Sequence, residues 1–254
     1  MQRRTQLYEG KAKVIFEGPE PGTVVAYFKD DSADLTGGKP TVVTGKGVIN
    51  NAISDLIMTR LSEIGVATHL IKRLNMREQL LHKVEIIPIE VVVRNVVAGS
   101  LAKRFGMEEG APLARSIVEL YYKSDDLGCP MVLEEHITAF GWASHPELDE
   151  IMSLALRTND FLSGLFSGIG IKLINFKIVF GRCWEDEQVR ILLADEITPD
   201  SCRLWDLETN KKLEKDRFCQ ERDGIEEAYQ EIAARLGVLP DLEHLSSEGL
   251  RLVR

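Results

Sequence analysis

Apolar positions interleave with polar ones from Leu7 to Phe16 and again from Thr23 to Phe28, as in half-buried strands. Between them, Glu17-Gly18-Pro19-Glu20-Pro21-Gly22 is dense in turn residues, so the pattern predicts an antiparallel hairpin. Lys29 to Pro40 reads as a polar, glycine-bearing loop. The period then lengthens. Ile49, Ile53, Leu56, Ile57, Leu61 and Ile64 recur at helical spacing and Gly65 follows, which predicts a helix over Lys46 to Ile64. Val66 to Arg73 reads as a short strand. Val84 to Val97, rich in β-branched residues, reads as one or two strands broken at Pro88. Ser100 to Phe105 is a short helix closed by Gly106.

Ser144-His145-Pro146-Glu147 has the form of a capping box with proline in the first turn, so a long amphipathic helix should run to about Phe166. Ile171 to Phe180 and Val189 to Ala194 are expected strands, joined as a hairpin by Glu185-Asp186-Glu187. Gly224 to Leu236 is an expected helix, stopped by Gly237 and Pro240, and Asp241 to Arg254 reads as a loosely attached polar end. There is no repeat and no strict βαβ alternation. The expected class is therefore α+β. The natural division is a small β-rich N-terminal lobe, residues 1–85, and a larger lobe, residues 86–254, with a ligand cleft between them.

Composition narrows the function classes. The 254 residues carry 31 Lys and Arg against 40 Asp and Glu, a net charge of −9. That balance disfavours nucleic acid and anionic membrane surfaces as partners, because both reward a basic face. No apolar run reaches membrane-spanning length and no signal peptide opens the chain. Cys129, Cys183, Cys202 and Cys219 form no C-x-x-C pair, so free thiols in a reducing cytoplasm are expected.

Four segments hold candidate chemistry. In Tyr8-Glu9-Gly10-Lys11-Ala12-Lys13 a glycine opens the backbone to a phosphate, and two lysines at i and i+2 share one side of a strand. The same residues also suit a plain surface strand. Val93-Arg94-Asn95 leads to Ala98-Gly99-Ser100 at a helix start, where Arg94 can grip an anion and Ser100 can bind a phosphate or simply cap. Asn175-Phe176-Lys177 is expected to face Ala194-Asp195-Glu196. There an interior lysine needs an acidic or phosphate partner, and the acids can hold Mg²⁺ or form a structural salt bridge. Thr198 to Asp206 is a turn presenting Arg203 near Trp205, either as an anion-binding loop or as packing.

Taken in order, these segments resemble the SAICAR synthetase family from about Tyr8 to Gly237. Lys46-Gly47 with Asn50-Asn51, Ser201 with Arg203-Leu204-Trp205-Asp206, and Lys215-Asp216-Arg217-Phe218 carry the resemblance further. It implies a two-lobed fold related to ATP-grasp enzymes. It also implies a ligase acting in purine biosynthesis on ATP, carboxyaminoimidazole ribonucleotide and L-aspartate, with Mg²⁺, commonly as a homodimer. Carried over by position, Gly10, Lys11, Ala12, Lys13 and Lys123 would contact ATP. Arg94, Ser100 and Arg203 would hold the ribonucleotide. Lys177 and Arg94 would serve the chemistry, and Asp195 would be the metal ligand. The chain departs from the family pattern at three positions. Asn175 stands where an aspartate is usual, Val179 where a Mg²⁺-binding glutamate is usual, and Cys219 where an arginine is common. Glu196 or the acidic turn at Glu185 to Glu187 would have to substitute for the missing carboxylate. Asp31 and Ser32 are possible contributors to the aspartate pocket. The rival readings are a small-molecule kinase with the same ATP cleft and an inactive nucleotide-binding protein.

Overall fold

The computed structural model describes residues 4–32, 41–185, 188–213 and 224–239. Its first element corrects the sequence pattern. Leu7 to Phe16 is not one strand but two, β1 (Gln6–Glu9) and β2 (Lys13–Glu17), paired antiparallel. The turn between them is Gly10-Lys11-Ala12, closed by the Gly10 N–H donating to the Lys13 carbonyl at 2.8 Å. Lys11 and Lys13 therefore do not share one strand face. β2 pairs with β3 (Thr23–Phe28) through the expected turn. A two-strand ribbon follows, β4 (Asp31–Ser32) with β5 (Thr41–Val42), and then helix α1 (Lys46–Glu63). β6 (Leu70–Arg73) and β7 (Glu78–His82) complete a five-stranded antiparallel sheet in the order β1-β2-β3-β7-β6.

The second sheet begins with β8 (Glu85–Val96), a single strand that passes through Pro88. The pairing with its neighbour is irregular between Glu90 and Ile86, so the missing N–H of Pro88 falls at a bulge and breaks no regular ladder. After α2 (Ser100–Phe105) come β9 (Pro112–Tyr122), β10 (Met131–Val132) and the short helix α3 (Glu134–Ala139). The long helix α4 (His145–Gly168) precedes β11 (Ile171–Glu185), β12 (Gln188–Ala194), β13 (Cys202–Asp206) and α5 (Ile225–Arg235). The sheet runs β10-β9-β8-β11-β12, and β13 pairs with the start of β11.

Alternation along β8 and β11 decides where chemistry can sit. Val91, Val93, Phe176, Ile178 and Phe180 enter one core with Leu148, Ile151, Ala155 and Phe166 of α4, and with Ile49, Ile53, Ile57 and Leu61 of α1. The opposite face of the same strands carries Glu90, Arg94, Asn175 and Lys177, freed by the period of two from packing against that core. The two sheets are stitched where Leu193 donates to the Ala67 carbonyl at 2.9 Å and accepts from the His69 N–H at 3.0 Å.

The predicted capping box forms. Glu147 Oε2 accepts from the Ser144 N–H and hydroxyl, both at 2.8 Å, while Oε1 accepts from Arg182 Nε at 2.5 Å. The Arg182 and Ser144 bonds hold the Glu147 carboxyl down at about 2, against an ordinary value of 4.5. A folded-state value below the unfolded one makes this contribution complete above about 4.5 and lost as pH falls towards 2. Glu147→Gln is therefore expected to cost about 1 kcal/mol at neutral pH, as for other lost caps. In urea titrations the gap from wild type should narrow as pH falls below about 4.5. A gap independent of pH would assign the cost to packing.

Segments Lys215 to Phe218, Cys219, Asp186, Glu187 and the tail from Asp241 lie outside the described residues, as do the side chains of Ser32 and Glu185.

Candidate active site

The polar face of the second sheet forms a cleft of about 500 Å³ lined by Glu90, Arg94, Ser100, Arg104, Tyr121 and Cys129, among others. Its centre is a buried arginine. Arg94, 6% exposed, donates through Nε to Glu119 at 2.5 Å, and through Nη2 to Ser100 Oγ at 3.0 Å and the Tyr121 hydroxyl at 3.3 Å. Tyr121 donates to Glu119 in turn at 2.7 Å, and Arg104 approaches Glu119 at 3.1 Å. Burial alone would raise the Glu119 carboxyl, but the bonds from Tyr121 and Arg94 hold it below the usual range. Glu119 thus stays ionised and fixes the guanidinium, with one Nη directed to Ser100.

Strand register sets a second arginine nearby. Asn175 on β11 pairs with Arg94 on β8 and with Arg203 on β13, so the two arginines flank it across three strands. Arg203 packs against the backbone of Gly99, whose φ of 54° is in the left-handed region. A Cβ on Gly99 would lie 3.1 Å from the Arg203 Cζ, so glycine there clears the guanidinium's place. Arg94, Ser100 and Arg203 are brought together as the sequence suggested. Two guanidiniums, a hydroxyl and the N-terminal end of α2 suit a phosphate monoester.

Lysines gather beyond Glu90, the cleft residue that two of them approach. Lys177 donates to Glu90 at 3.2 Å, and Lys123 stands 3.9 Å from Glu90 and 4.0 Å from Asp195. Lys13 lies between Asp195 and Glu196 in close ion pairs with both. Lys11, from the β1–β2 turn, pairs with Asp125 at 2.8 Å, and Asp125 also feels Lys123 and Lys177. Gly10 and Ala12 form the turn that places Lys11 there, with the Ala12 carbonyl accepting from the Lys29 N–H at 2.8 Å. Lys177 is not the interior residue that its apolar neighbours suggested. Its side chain is 52% exposed, and its acidic partner is Glu90 on β8, not the end of β12.

The acids respond to this crowding. Burial and the neighbouring Asp195 push Glu196 up to about 8. Burial alone would raise Asp195, but Lys13, a hydrogen bond with Glu196 and the Lys123 charge together hold it well below the carboxylate range. Burial and Lys13 push the His69 ring down to about 4, so it is neutral at neutral pH. Every described cation here has an acidic neighbour, which an anionic ligand can displace.

A divalent ion fits in one mode. Asp195 offers a hard oxygen donor, and its side chain is 38% exposed. Val179 is buried between Glu90 and Ala194 in the sheet and offers no donor. Among the described residues no three His, Cys, Asp or Glu side chains cluster to hold a metal. The donor set suits Mg²⁺ shared with phosphate oxygens better than a protein-only cage.

Sequence reading missed Glu90, Glu119, Tyr121, Arg104 and Asp125. The period of two through Glu90, Val92 and Arg94 could have disclosed Glu90. Glu119, Tyr121 and Arg104 required knowing that β9 pairs with β8, and Asp125 that the Gly10–Ala12 turn brings Lys11 to it.

Comparison with known proteins agrees with this geometry. The sequence profile of SAICAR synthetase matches residues 6–236. A phosphoribosylaminoimidazole-succinocarboxamide synthase of Rhodospirillum centenum is 64% identical over 241 residues, 95% of each chain. The crystal structure of the synthase from Ehrlichia chaffeensis superposes with a TM-score of 0.89 at 47% identity, covering 93% of this chain and all of that one. A SAICAR synthetase solved in complex with ADP superposes at 0.86 with 40% identity, covering 92% of this chain and 99% of that one. A near-complete match in sequence and fold places this chain in the SAICAR synthetase family.

Proposed function

We infer that this chain is an ATP-dependent ligase of purine biosynthesis that joins L-aspartate to carboxyaminoimidazole ribonucleotide, giving SAICAR, ADP and phosphate. The observation that carries the reading is the gathering of cations into two sets, an arginine end at Arg94, Ser100 and Arg203 and a lysine end at Lys13, Lys123 and Lys177 around the acids Glu90, Asp195 and Glu196. The arginine end takes the ribonucleotide phosphate. The lysine end, with Gly10, Lys11 and Ala12 in the turn above it, takes the ATP phosphates.

A carboxylate does not condense with an amine unaided, because its oxygen is a poor leaving group. The imidazole carboxylate attacks the γ-phosphorus of ATP, an O–P bond forms, and ADP leaves. The aspartate amine then attacks the acyl carbon. The C–N bond forms as the C–O bond breaks, and phosphate departs with the former carboxylate oxygen. Lys177, the member of the lysine end that pairs with Glu90 on the strand carrying Arg94, offsets charge on the transferring phosphoryl group. Arg94 fixes the acceptor. Mg²⁺, held by Asp195 and phosphate oxygens, would neutralise charge on the nucleotide when bound. Holding three reactants in one cleft supplies the remaining advantage.

The same reading assigns residues 1–85 to a nucleotide-side lobe and 86–254 to a larger substrate lobe, with a homodimeric, cytoplasmic enzyme. Among the described residues no helix is long and apolar enough to cross a membrane.

The test is ADP release by purified protein given ATP, Mg²⁺, the ribonucleotide and L-aspartate, with each omitted in turn. Release that requires all four, with SAICAR formed, supports the ligase and shows that Asn175 and Val179 are compatible with turnover. Release without aspartate and without product points to a kinase. ATP binding with no release points to an inactive nucleotide-binding protein.

A further inference from the structure

Asp195 has φ 66°, in the left-handed region that residues bearing a Cβ enter at a cost. The backbone just before it is pinned, since Leu193 pairs with Ala67 and His69. Asp195 itself is held by a side chain. The His69 Nε2 lies 3.1 Å from the Asp195 carbonyl oxygen. A carbonyl oxygen only accepts, so Nε2 carries the ring proton. His69 is 7% exposed, and its own carbonyl accepts from the His82 N–H at 2.8 Å, which anchors it to β7 of the five-stranded sheet. A side-chain hydrogen bond therefore crosses between the sheets, beside the two backbone bonds at Leu193. It ends on the residue whose carboxylate meets Lys13 and Lys123.

We propose that His69 is a positioning residue for the nucleotide end of the site. Through the Asp195 carbonyl it holds that backbone in the left-handed conformation that directs the carboxylate at Lys13 and Lys123. His69 touches no reactant and transfers no proton. A histidine present only to fill the core would need no donor aimed at this carbonyl. The proposal rests on the reading of Asp195 as a nucleotide-side residue.

The test uses the full chain carrying His69→Leu, His69→Gln, His69→Asn or Asp195→Asn, and the double variant His69→Leu with Asp195→Asn. Calorimetry measures ADP binding with Mg²⁺, and steady-state kinetics gives KM for ATP and for the ribonucleotide. His69→Leu is expected to weaken ADP binding and raise the ATP KM by about tenfold, the scale of losses beside a ligating group. The ribonucleotide KM should stay unchanged. His69→Gln, whose amide nitrogen reaches about as far as Nε2, should restore ADP binding. His69→Asn, as polar but shorter, should resemble His69→Leu. The double variant should bind ADP no worse than Asp195→Asn alone, because the histidine acts only through that residue.

Equal behaviour of His69→Gln and His69→Asn overturns the proposal, as does a fall in Tm with ADP binding unchanged, or losses that multiply in the double variant. Weakened binding in Asp195→Asn beside an unaffected His69→Leu overturns the proposal alone. Wild-type ADP binding by Asp195→Asn removes Asp195 from the nucleotide site, and the role of His69 with it.

Discussion

Arg94→Ala is expected to lower kcat/KM for the ribonucleotide by about 10³-fold, the scale of a lost charge-assisted contact that also acts in the transition state. It should also cost the fold about 3 kcal/mol, because it strips the main partner from a buried carboxylate. The cost falls on Glu119, only 8% exposed and hydrogen-bonded to Arg94 at 2.5 Å. Arg104 remains 3.1 Å away and Tyr121 still donates, which keeps the loss at the lower end of the range for a broken buried pair. Arg94→Lys separates charge from geometry. A lysine retains the positive charge but cannot serve Glu119, Ser100 and Tyr121 together through a planar fork. It should recover most of the stability and little of the activity. Urea unfolding with steady-state kinetics measures both. Wild-type kcat/KM in a stable Arg94→Ala protein would remove this residue from the substrate site.

The second large effect is expected from Lys13→Met. Lys13, its side chain 14% exposed, separates Asp195 from Glu196. Without it Glu196, already pushed up to about 8 by burial and Asp195, keeps its proton, and the Asp195 carboxylate meets the nucleotide phosphates with no Lys13 ammonium to offset their charge. The ATP KM should rise and kcat fall, for a combined loss in kcat/KM for ATP of about 10²- to 10³-fold. The ribonucleotide KM should stay within about threefold, since the arginine end is a separate set of contacts and distant sites act independently. A ribonucleotide KM that rises as much as the ATP KM would mean that the cleft is not divided into two ends.

The sequence disclosed elements whose pattern is one-sided. Helix α1 was legible because Ile49, Ile53, Ile57 and Leu61 all turn to one core. Helix α4 was legible from the box formed by Ser144 and Glu147. Strand β9 was not legible, because both its faces are in use. Val118, Leu120 and Tyr122 stand on one face, but Ile117 and Tyr121 stand beside Glu119 on the other, so large apolar side chains on both faces blur the alternation. The turn at Gly10 to Ala12 was hidden because Lys11 and Lys13 at i and i+2 continue the apolar–polar interleaving of Leu7, Tyr8, Val14 and Phe16 as if along one strand.

The site divides in the same way. Its cations, Lys11, Lys13, Arg94, Lys123, Lys177 and Arg203, could be named from local motifs and family resemblance. Their acidic partners could not, because each pairing joins strands or turns remote in the chain. Lys177 reaches back to Glu90 on β8, Lys13 forward to Asp195 after β12, and Arg94 across to Glu119 on β9. His69 was passed over for the same reason, since its role depends on a backbone conformation that only the folded chain displays.

The most direct test of the ligase chemistry follows one oxygen atom. Carboxyaminoimidazole ribonucleotide labelled with ¹⁸O at both carboxylate oxygens is turned over with ATP, Mg²⁺ and L-aspartate, and the released phosphate is analysed by mass. Activation of the carboxylate by ATP, followed by attack of the aspartate amine, places one labelled oxygen in phosphate for each SAICAR formed. Unlabelled phosphate, or ADP formed without SAICAR, would contradict that chemistry.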